Sequence, residues 1–433
     1  MQLVVNLTKK FITFLTLSFS LPCFADKLGQ TGNRWGVVFL HRTTENPYSL
    51  RGYNHDIIPL IYFEKNSFYI HGLDFGYQFY KPDASSALQV VSKYRYFDLP
   101  PQQRAQREDG INIGVEYNKE IIPNVTLFAD LLSDLNGNPV GELKTSWSYG
   151  IWKFSWELYV DLLLKSAKYN QRYFGLSKKD PGADTDTKFG IDVKINLYKN
   201  LYAISGAGIT YYGSKTVKNS ALVRPSQVSY YVGGGLMDAS IHETSLRSKY
   251  YQRYAWGLAT PSNTDDILYK LKSEPDPNHN QLASFFYGIP LSDDVVGLPI
   301  TVHFQPGIAF HFKNKGHQDN FPEYIAVIKL AYTIPLPWRI RLGLGEGLSY
   351  SEQISDIEKR EMNMLKLESS KLLNYLDYSL DFSVHDIVKA DITKGMWLGW
   401  YLHHRSGIYG TSILFNKVRG GSNYNMFYIM YEY

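Results

Sequence analysis

The stretch KFGIDVKINL, residues 188–197, decides the fold class, because apolar and polar side chains alternate along it without interruption. Every second residue is apolar: Phe189, Ile191, Val193, Ile195 and Leu197. The residues between them are polar or glycine. Successive side chains of a β-strand point to opposite faces of its sheet, so this pattern predicts a strand with one apolar and one polar face.

Similar alternation recurs at 300–312 and 338–345, in segments of about ten residues, the length that a tilted strand needs to cross a membrane. The chain contains 35 Tyr, 23 Phe, 8 Trp and 34 Gly, a composition that suits aromatic girdles at the two membrane surfaces. After the N-terminal segment there is no apolar run long enough for a membrane-spanning helix. We therefore predict an all-β fold, a transmembrane antiparallel β-barrel.

The alternating segments number roughly 16–20, which fits either one wide barrel or two tandem barrels. We favour one barrel, because only the end of the chain carries an obvious assembly signal. There Phe427, Ile429, Tyr431 and Tyr433 alternate and finish on an aromatic residue. This ending resembles the signal read by the barrel-assembly machinery, which is thus an expected partner during biogenesis.

The connections between strands are of two kinds. Tight turns occur at 198–200 and 335–337, whereas long polar segments occur at 99–109, 177–187 and 261–281. Outer-membrane barrels have short turns at one end and long loops at the other. The sequence therefore predicts the outer membrane of a Gram-negative bacterium, with membrane lipids including lipopolysaccharide as neighbours.

Residues 352–375 depart from the strand pattern, since their apolar residues are spaced irregularly among many charges. We predict a helix inside a loop. Such a helix either covers the mouth of the barrel or lies free in solvent, and we favour the second because loops often carry solvated helical pieces.

The N-terminus has the order of a secretory signal peptide, which we place at 1–25. Lys9 and Lys10 precede an apolar run, and cleavage is expected after Ala25. Cys23, the only cysteine, is an alternative lipid-acceptor position, but Pro22 before it is unsuitable. Without Cys23 the remaining chain contains no thiol, which excludes disulfides and thiolate metal sites. Its nearly balanced charge gives no indication of nucleic-acid binding.

Several short motifs in order along the first half resemble the MipA/OmpV outer-membrane family over about residues 33–236. They are Pro47-Tyr48, Gly52-Tyr53, Pro59-Leu60-Ile61-Tyr62, the strand with Gly72 and Gly76, Arg107-Glu108-Asp109-Gly110, Tyr169 with Tyr173-Phe174-Gly175, and Asn219-Ser220-Ala221-Leu222-Val223. The resemblance implies an outer-membrane scaffold that links a murein transglycosylase to a murein synthase. It implies no catalytic residues. We divide the chain into a family-like barrel region at 26–245 and a C-terminal barrel region at 246–433.

The C-terminal region has a weaker resemblance to lipid A deacylase barrels, through His404-Arg405-Ser406 and Gly420-Gly421-Ser422-Asn423. The resemblance implies that His404 takes the proton of Ser406 as the serine attacks an acyl ester. The family's asparagine after the serine is Gly407 here, and no acidic residue follows before the last strand. No catalytic residue is therefore assigned, and His404 and Ser406 are candidates only. Alternatively, His403, His404 and Arg405 are polar residues at the rim of a strand.

The other polar residues favour the wall of a barrel lumen. His303 and His311 are eight residues apart on one strand, about 26 Å, which is too far for one metal ion. Arg339, Arg341 and Glu346 are candidates for lining a pore, as are Lys188, Asp192 and Lys194. No motif indicates a cofactor. Three classes of function remain open: an envelope scaffold, which we favour, a serine esterase acting on lipid A, and a porin.

Overall fold

The computed structural model describes residues 34–49, 52–95, 110–175, 180–238, 246–315, 318–365 and 369–433. The predicted signal peptide, with Cys23, and the predicted loop at 99–109 lie outside these residues. Within them the chain forms two compact units, residues 34–238 and residues 246–433.

The first unit is a closed barrel of twelve antiparallel strands. The strands are β1 (Arg34–Glu45), β2 (Tyr53–Lys65), β3 (Phe68–Gly72), β4 (Asp74–Asp83), β5 (Ser86–Tyr94), β6 (Ile111–Ile122), β7 (Val125–Asp134), β8 (Pro139–Ile151), β9 (Phe154–Lys165), β10 (Asp184–Tyr198), β11 (Leu201–Tyr211) and β12 (Ser226–Asp238). Each strand pairs with its neighbours in sequence. The barrel closes where β1 pairs with β12, with Leu40 opposite Gly233.

The second unit is a closed barrel of eight strands. They are β13 (Tyr251–Thr260), β14 (Gln281–Ser292), β15 (Ile300–His311), β16 (Phe321–Ile334), β17 (Ile340–Ser351), β18 (Leu372–Ser383), β19 (Met396–Ser406) and β20 (Gly421–Glu432). This barrel closes where β13 pairs with β20, with Tyr254 opposite Ile429.

The antiparallel barrel fold is confirmed, but the preference for one wide barrel is wrong. The first and last strands of each set pair with each other, so each set satisfies its own edge hydrogen bonds. In a membrane every backbone polar group needs such a partner, because lipid supplies none. The alternation in the sequence predicts individual strands, but it does not indicate which two strands pair to close a barrel.

The stretch 188–197 lies within β10 and has the predicted two faces. Phe189, Ile191 and Leu197 are exposed on the outside of the barrel. Asp192 is completely buried inside, where its Oδ1 accepts a hydrogen bond of 2.5 Å from the hydroxyl of Tyr231. The outer face is thus apolar where lipid would contact it, and the polar face is directed into the lumen.

Five short α-helices occur in the described connections: α1 (Ala167–Asn170), α2 (Ser214–Asn219), α3 (Thr264–Lys270), α4 (Asp356–Leu365) and α5 (Val384–Val388). A π-helical turn follows α1 at Gln171–Gly175, and 3-10 turns occur at Asp391–Thr393 and Ile408–Gly410. Among the described residues, every helix is too short or too polar to cross a membrane.

Helix α4 lies within the predicted helical segment, which is shorter than expected because β18 begins at Leu372. It is not the solvated helix that we favoured. Ile357, Glu358 and Met362 are buried, and Ile357 belongs to the apolar core of the second barrel. Helix α4 therefore covers the mouth of that barrel.

An ion pair between Asp386 and Arg339 fixes the short connection that contains α5. We expect this pair to make the stability of the folded state sensitive to acid. The side chain of Asp386 accepts hydrogen bonds from Arg339 Nε at 2.7 Å and Arg339 Nη2 at 2.9 Å. These bonds lower the pKa of Asp386 to about 2. A lowered pKa stabilises the folded state above the unfolded pKa of about 3.8, and this contribution is lost as the pH falls through 2.

We therefore expect Asp386→Asn to be less stable than the wild type at pH 5 and to match it below pH 2. Thermal unfolding in detergent micelles between pH 5 and pH 1.5 measures this difference. A difference that stays constant over this range would contradict the role of the ion pair.

Candidate functional site

The interior of the first barrel is filled with paired charges. Lys93 Nζ lies 2.9 Å from Glu116 Oε2 and also pairs with Asp130, while Arg95 Nη2 lies 2.5 Å from Glu142 Oε2. Four of these five side chains are less than a tenth exposed, and Lys93 is only slightly more so. Water thus has little access to these charges.

Long-loop residues also enter this barrel from the end opposite the tight turns. Tyr169 and Tyr173 are fully buried in a core with Val91 and Leu132. The hydroxyl of Tyr173 lies 3.0 Å from Asp134 Oδ2. The loop that contains α1 therefore folds into the mouth of the barrel.

Beside the pair of Arg341 with Asp381, the described interior of the second barrel has two larger buried ionic networks. In the first, Asp377 Oδ2 accepts a hydrogen bond of 2.5 Å from Arg253, and Asp377 Oδ1 accepts one from Lys329. The guanidinium of Arg253 lies 4.5 Å from the ring centre of Phe286 and 4.2 Å from that of Tyr401. An eight-stranded barrel is just wide enough for such side chains to fill it.

The second network surrounds Glu323. Its carboxylate contacts His311 Nε2 at 2.7 Å, His403 Nε2 at 3.1 Å and the Ser349 hydroxyl at 2.6 Å. Arg405 lies beside it and reaches Glu358 of α4 at 2.5 Å. The network thus connects the barrel wall to the helix that covers its mouth.

These interiors correct the proposed pore lining in two places. Arg341 and, in the first barrel, Lys188, Asp192 and Lys194 face inward as predicted. Arg339 instead lies in a turn with Asp386. Glu346 is five residues from Arg341 on β17, so the two side chains point to opposite faces, and Glu346 faces outward with Leu342 and Leu344.

Because many of the inward charges are paired and the mouths are covered, we expect neither barrel to conduct ions steadily. The purified chain in planar lipid bilayers measures this directly. Steady channels of large conductance would contradict the closed interiors and would restore the porin interpretation.

The segment His403-His404-Arg405-Ser406 of β19 is divided between the two faces of the strand. His403 and Arg405 point inward and are fully buried, so they are not rim residues. His404 and Ser406 point outward together. The two candidates are therefore brought to one face, on the lipid side of the barrel and at the end where its long loops emerge.

His404 has a partner that the sequence did not suggest. Its Nδ1 lies 2.6 Å from Asn423 Oδ1 on β20 and 3.2 Å from the Thr264 hydroxyl. The amide of Asn423 is fixed in orientation because its Nδ2 donates to the carbonyl of Ser262 at 2.8 Å. Asn423 Oδ1 therefore accepts from His404 Nδ1–H, which leaves His404 Nε2 unprotonated as a base.

Two further polar residues face outward beside this pair. Asn374 on β18 is directly opposite Ser406, and it donates a hydrogen bond to Glu346 on β17. Leu376 of β18 is paired with Glu346 on one side and with His404 on the other, so it lies between these two residues across the sheet. We call Glu346, Asn374, His404, Ser406 and Asn423 the outer polar row. The register between neighbouring strands brings these five residues together. Their spacing along the sequence does not indicate this arrangement.

Closed antiparallel barrels with apolar outer faces and paired inner charges define an integral outer-membrane protein. Comparison with protein families then identifies the first barrel: residues 38–237 match the family described as MltA-interacting protein MipA. Over this range the first barrel matches the MipA family model, as its motifs predicted. The predicted location in the outer membrane is confirmed.

Solved structures that the chain matches include "LpxR from Salmonella typhimurium", at 9% identity and a TM-score of 0.19, covering 68% of this chain and 88% of that one. Another is Pseudomonas aeruginosa OccK11 (OpdR), at 8% identity and a TM-score of 0.25, covering 94% and 99%. No match was found among curated proteins.

Proposed function

We propose that this protein is a non-enzymatic scaffold of the cell envelope that binds a murein transglycosylase and a murein synthase. The observation that carries the proposal is the family match over 38–237, whose description names an interaction with MltA. The interiors of both barrels support the proposal. Many of their charges are paired and their mouths are covered, so the turns and loops at the ends of the barrels are the surfaces available to partner proteins.

The tight turns of the first barrel are the expected contact surface. In outer-membrane barrels the short turns face the periplasm, where murein enzymes act. The turn between β8 and β9 presents Trp152, which is 93% exposed, with the ammonium of Lys153 5.3 Å from its ring centre. Exposed aromatic residues of this kind often dominate the binding energy of an interface.

The test is crosslinking in cells followed by purification of the full chain and identification of bound proteins. We expect a transglycosylase and a synthase to be captured, and Trp152→Ala to capture less of both. Tyr269→Ala, which changes another highly exposed aromatic residue on a long loop of the second barrel, is the matched control. Absence of any murein enzyme after crosslinking would overturn the scaffold proposal.

A second candidate function is hydrolysis of an acyl ester of lipid A, favoured by the contact between His404 and Asn423. In this mechanism Ser406 Oγ attacks the ester carbonyl while His404 Nε2 takes its proton. The sugar alkoxide leaves with that proton, and water then releases the fatty acid from the serine by the same route. Asn423 holds the imidazole in the tautomer that this chemistry requires, a role that asparagine has in other hydrolases.

For this second candidate we expect Ser406→Ala to abolish deacylation and Asn423→Ala to reduce it by about tenfold to a hundredfold. Thr411→Ala, which changes an exposed loop hydroxyl, should have no effect. Mass spectra of lipid A from cells expressing each variant measure the loss of an acyl chain. Identical spectra with and without the intact protein would exclude the hydrolase and leave the scaffold proposal unaffected.

A further inference from the structure

Glu346 is an acidic residue in an unusual position. It faces the lipid side of the second barrel, yet it is only 8% exposed. Among the described residues no basic side chain pairs with it, and its Oε1 has no hydrogen-bond partner. A buried carboxylate that lacks a counter-ion is costly, so such residues in membrane proteins usually have a functional reason.

The neighbouring Asn374 has the same deficit. It is 3% exposed, and its Oδ1 has no partner although its amide donates to Glu346. Two buried oxygens of adjacent strands therefore lack donors on one outer face. Both are acceptors, so the missing group is one that carries N–H or O–H donors.

The surroundings of this pair indicate a lipid. Tyr378 lies on the same outer face of β18. It interacts electrostatically with Glu346 and with Tyr269 and Tyr409, two tyrosines of the long loops. These two loop tyrosines are 82% and 88% exposed. Below the pair, Leu342 and Leu344 on β17 are exposed at the surface that acyl chains contact. On this outer face the exposed leucines lie toward the tight turns and the exposed tyrosines lie on the long loops, an order that matches the acyl chains and head group of a lipid.

We propose that Glu346 and Asn374 form a binding site for the primary ammonium head group of an outer-membrane lipid. An ammonium supplies the positive charge that Glu346 lacks and enough N–H donors for both Glu346 Oε1 and Asn374 Oδ1. The site depends neither on the scaffold function nor on hydrolysis by Ser406.

The test compares two lipids that differ in the head group alone. The full chain is reconstituted in nanodiscs containing phosphatidylethanolamine or phosphatidylcholine with identical acyl chains, and retained lipids are counted by native mass spectrometry. Phosphatidylcholine has the same charge but no N–H donor. We expect preferential retention of phosphatidylethanolamine, and Glu346→Gln to weaken it by about tenfold or more.

The variants keep this test decisive. Glu346→Gln removes a buried charge without changing shape, so we expect it to fold at least as well as the wild type. Asn374→Leu should weaken retention as well, whereas Asp386→Asn at the opposite end of the barrel should not. Equal retention of the two lipids, or retention unchanged in Glu346→Gln, would overturn the proposal.

Discussion

Replacing Asp377 by alanine is expected to lower the free energy of unfolding of the second barrel by about 3–5 kcal/mol. Asp377 is the common partner of Arg253 and Lys329, which are both buried inside the barrel. Without its carboxylate two cations remain close together in a place with little water. Arg253 keeps its contacts with the rings of Phe286 and Tyr401, which compensate only in part.

Urea unfolding of the purified chain in lipid vesicles, monitored by tryptophan fluorescence, measures this loss of stability. The matched control is Asp386→Ala, which breaks the half-exposed pair with Arg339 and should cost less than about 1 kcal/mol. Equal losses for the two variants would show that the interior network contributes no more than a surface ion pair.

Replacing Arg405 by alanine is expected to release helix α4 from the mouth of the second barrel. Arg405 donates to Glu358 at 2.5 Å, to the Ser349 hydroxyl at 2.9 Å and to the carbonyl of Lys371 at 2.8 Å. Its loss leaves Glu358 and Glu323 buried without their shared cation. We expect a destabilisation of about 3–5 kcal/mol. It is concentrated at α4 because the strands keep the backbone hydrogen bonds that pair them.

Limited trypsin digestion gives a local measurement, since α4 contains Lys359 and Arg360. The variant should be cut within α4 much faster than the wild type, while the barrel strands remain protected. Lys359→Gln with intact Arg405 is the control for a simple change of charge on the helix. Unchanged cleavage in Arg405→Ala would mean that the apolar contacts of Ile357 and Met362 alone keep the mouth covered.

The candidate site illustrates why the sequence predicts some residues and not others. His404 and Ser406 are two apart on one strand, so their shared face follows from the period of the backbone. Asn423 lies on β20 and contacts His404 only because Asn423 is opposite it in the register of β19 and β20. Glu346 was assigned to the lumen, although its position relative to Arg341 already places it on the other face.

The sequence by itself determined the fold class, the two faces of β10 and the MipA-like character of the first half. These properties are local, because side-chain alternation and short motifs are present in single strands. The tertiary structure alone decided that the twenty strands of the described residues close as two rings, that α4 covers a mouth, and that Glu323 and Asp377 organise the second interior. These properties depend on which strand edges meet and on side chains far apart in sequence, and neither is encoded in the period of any one segment.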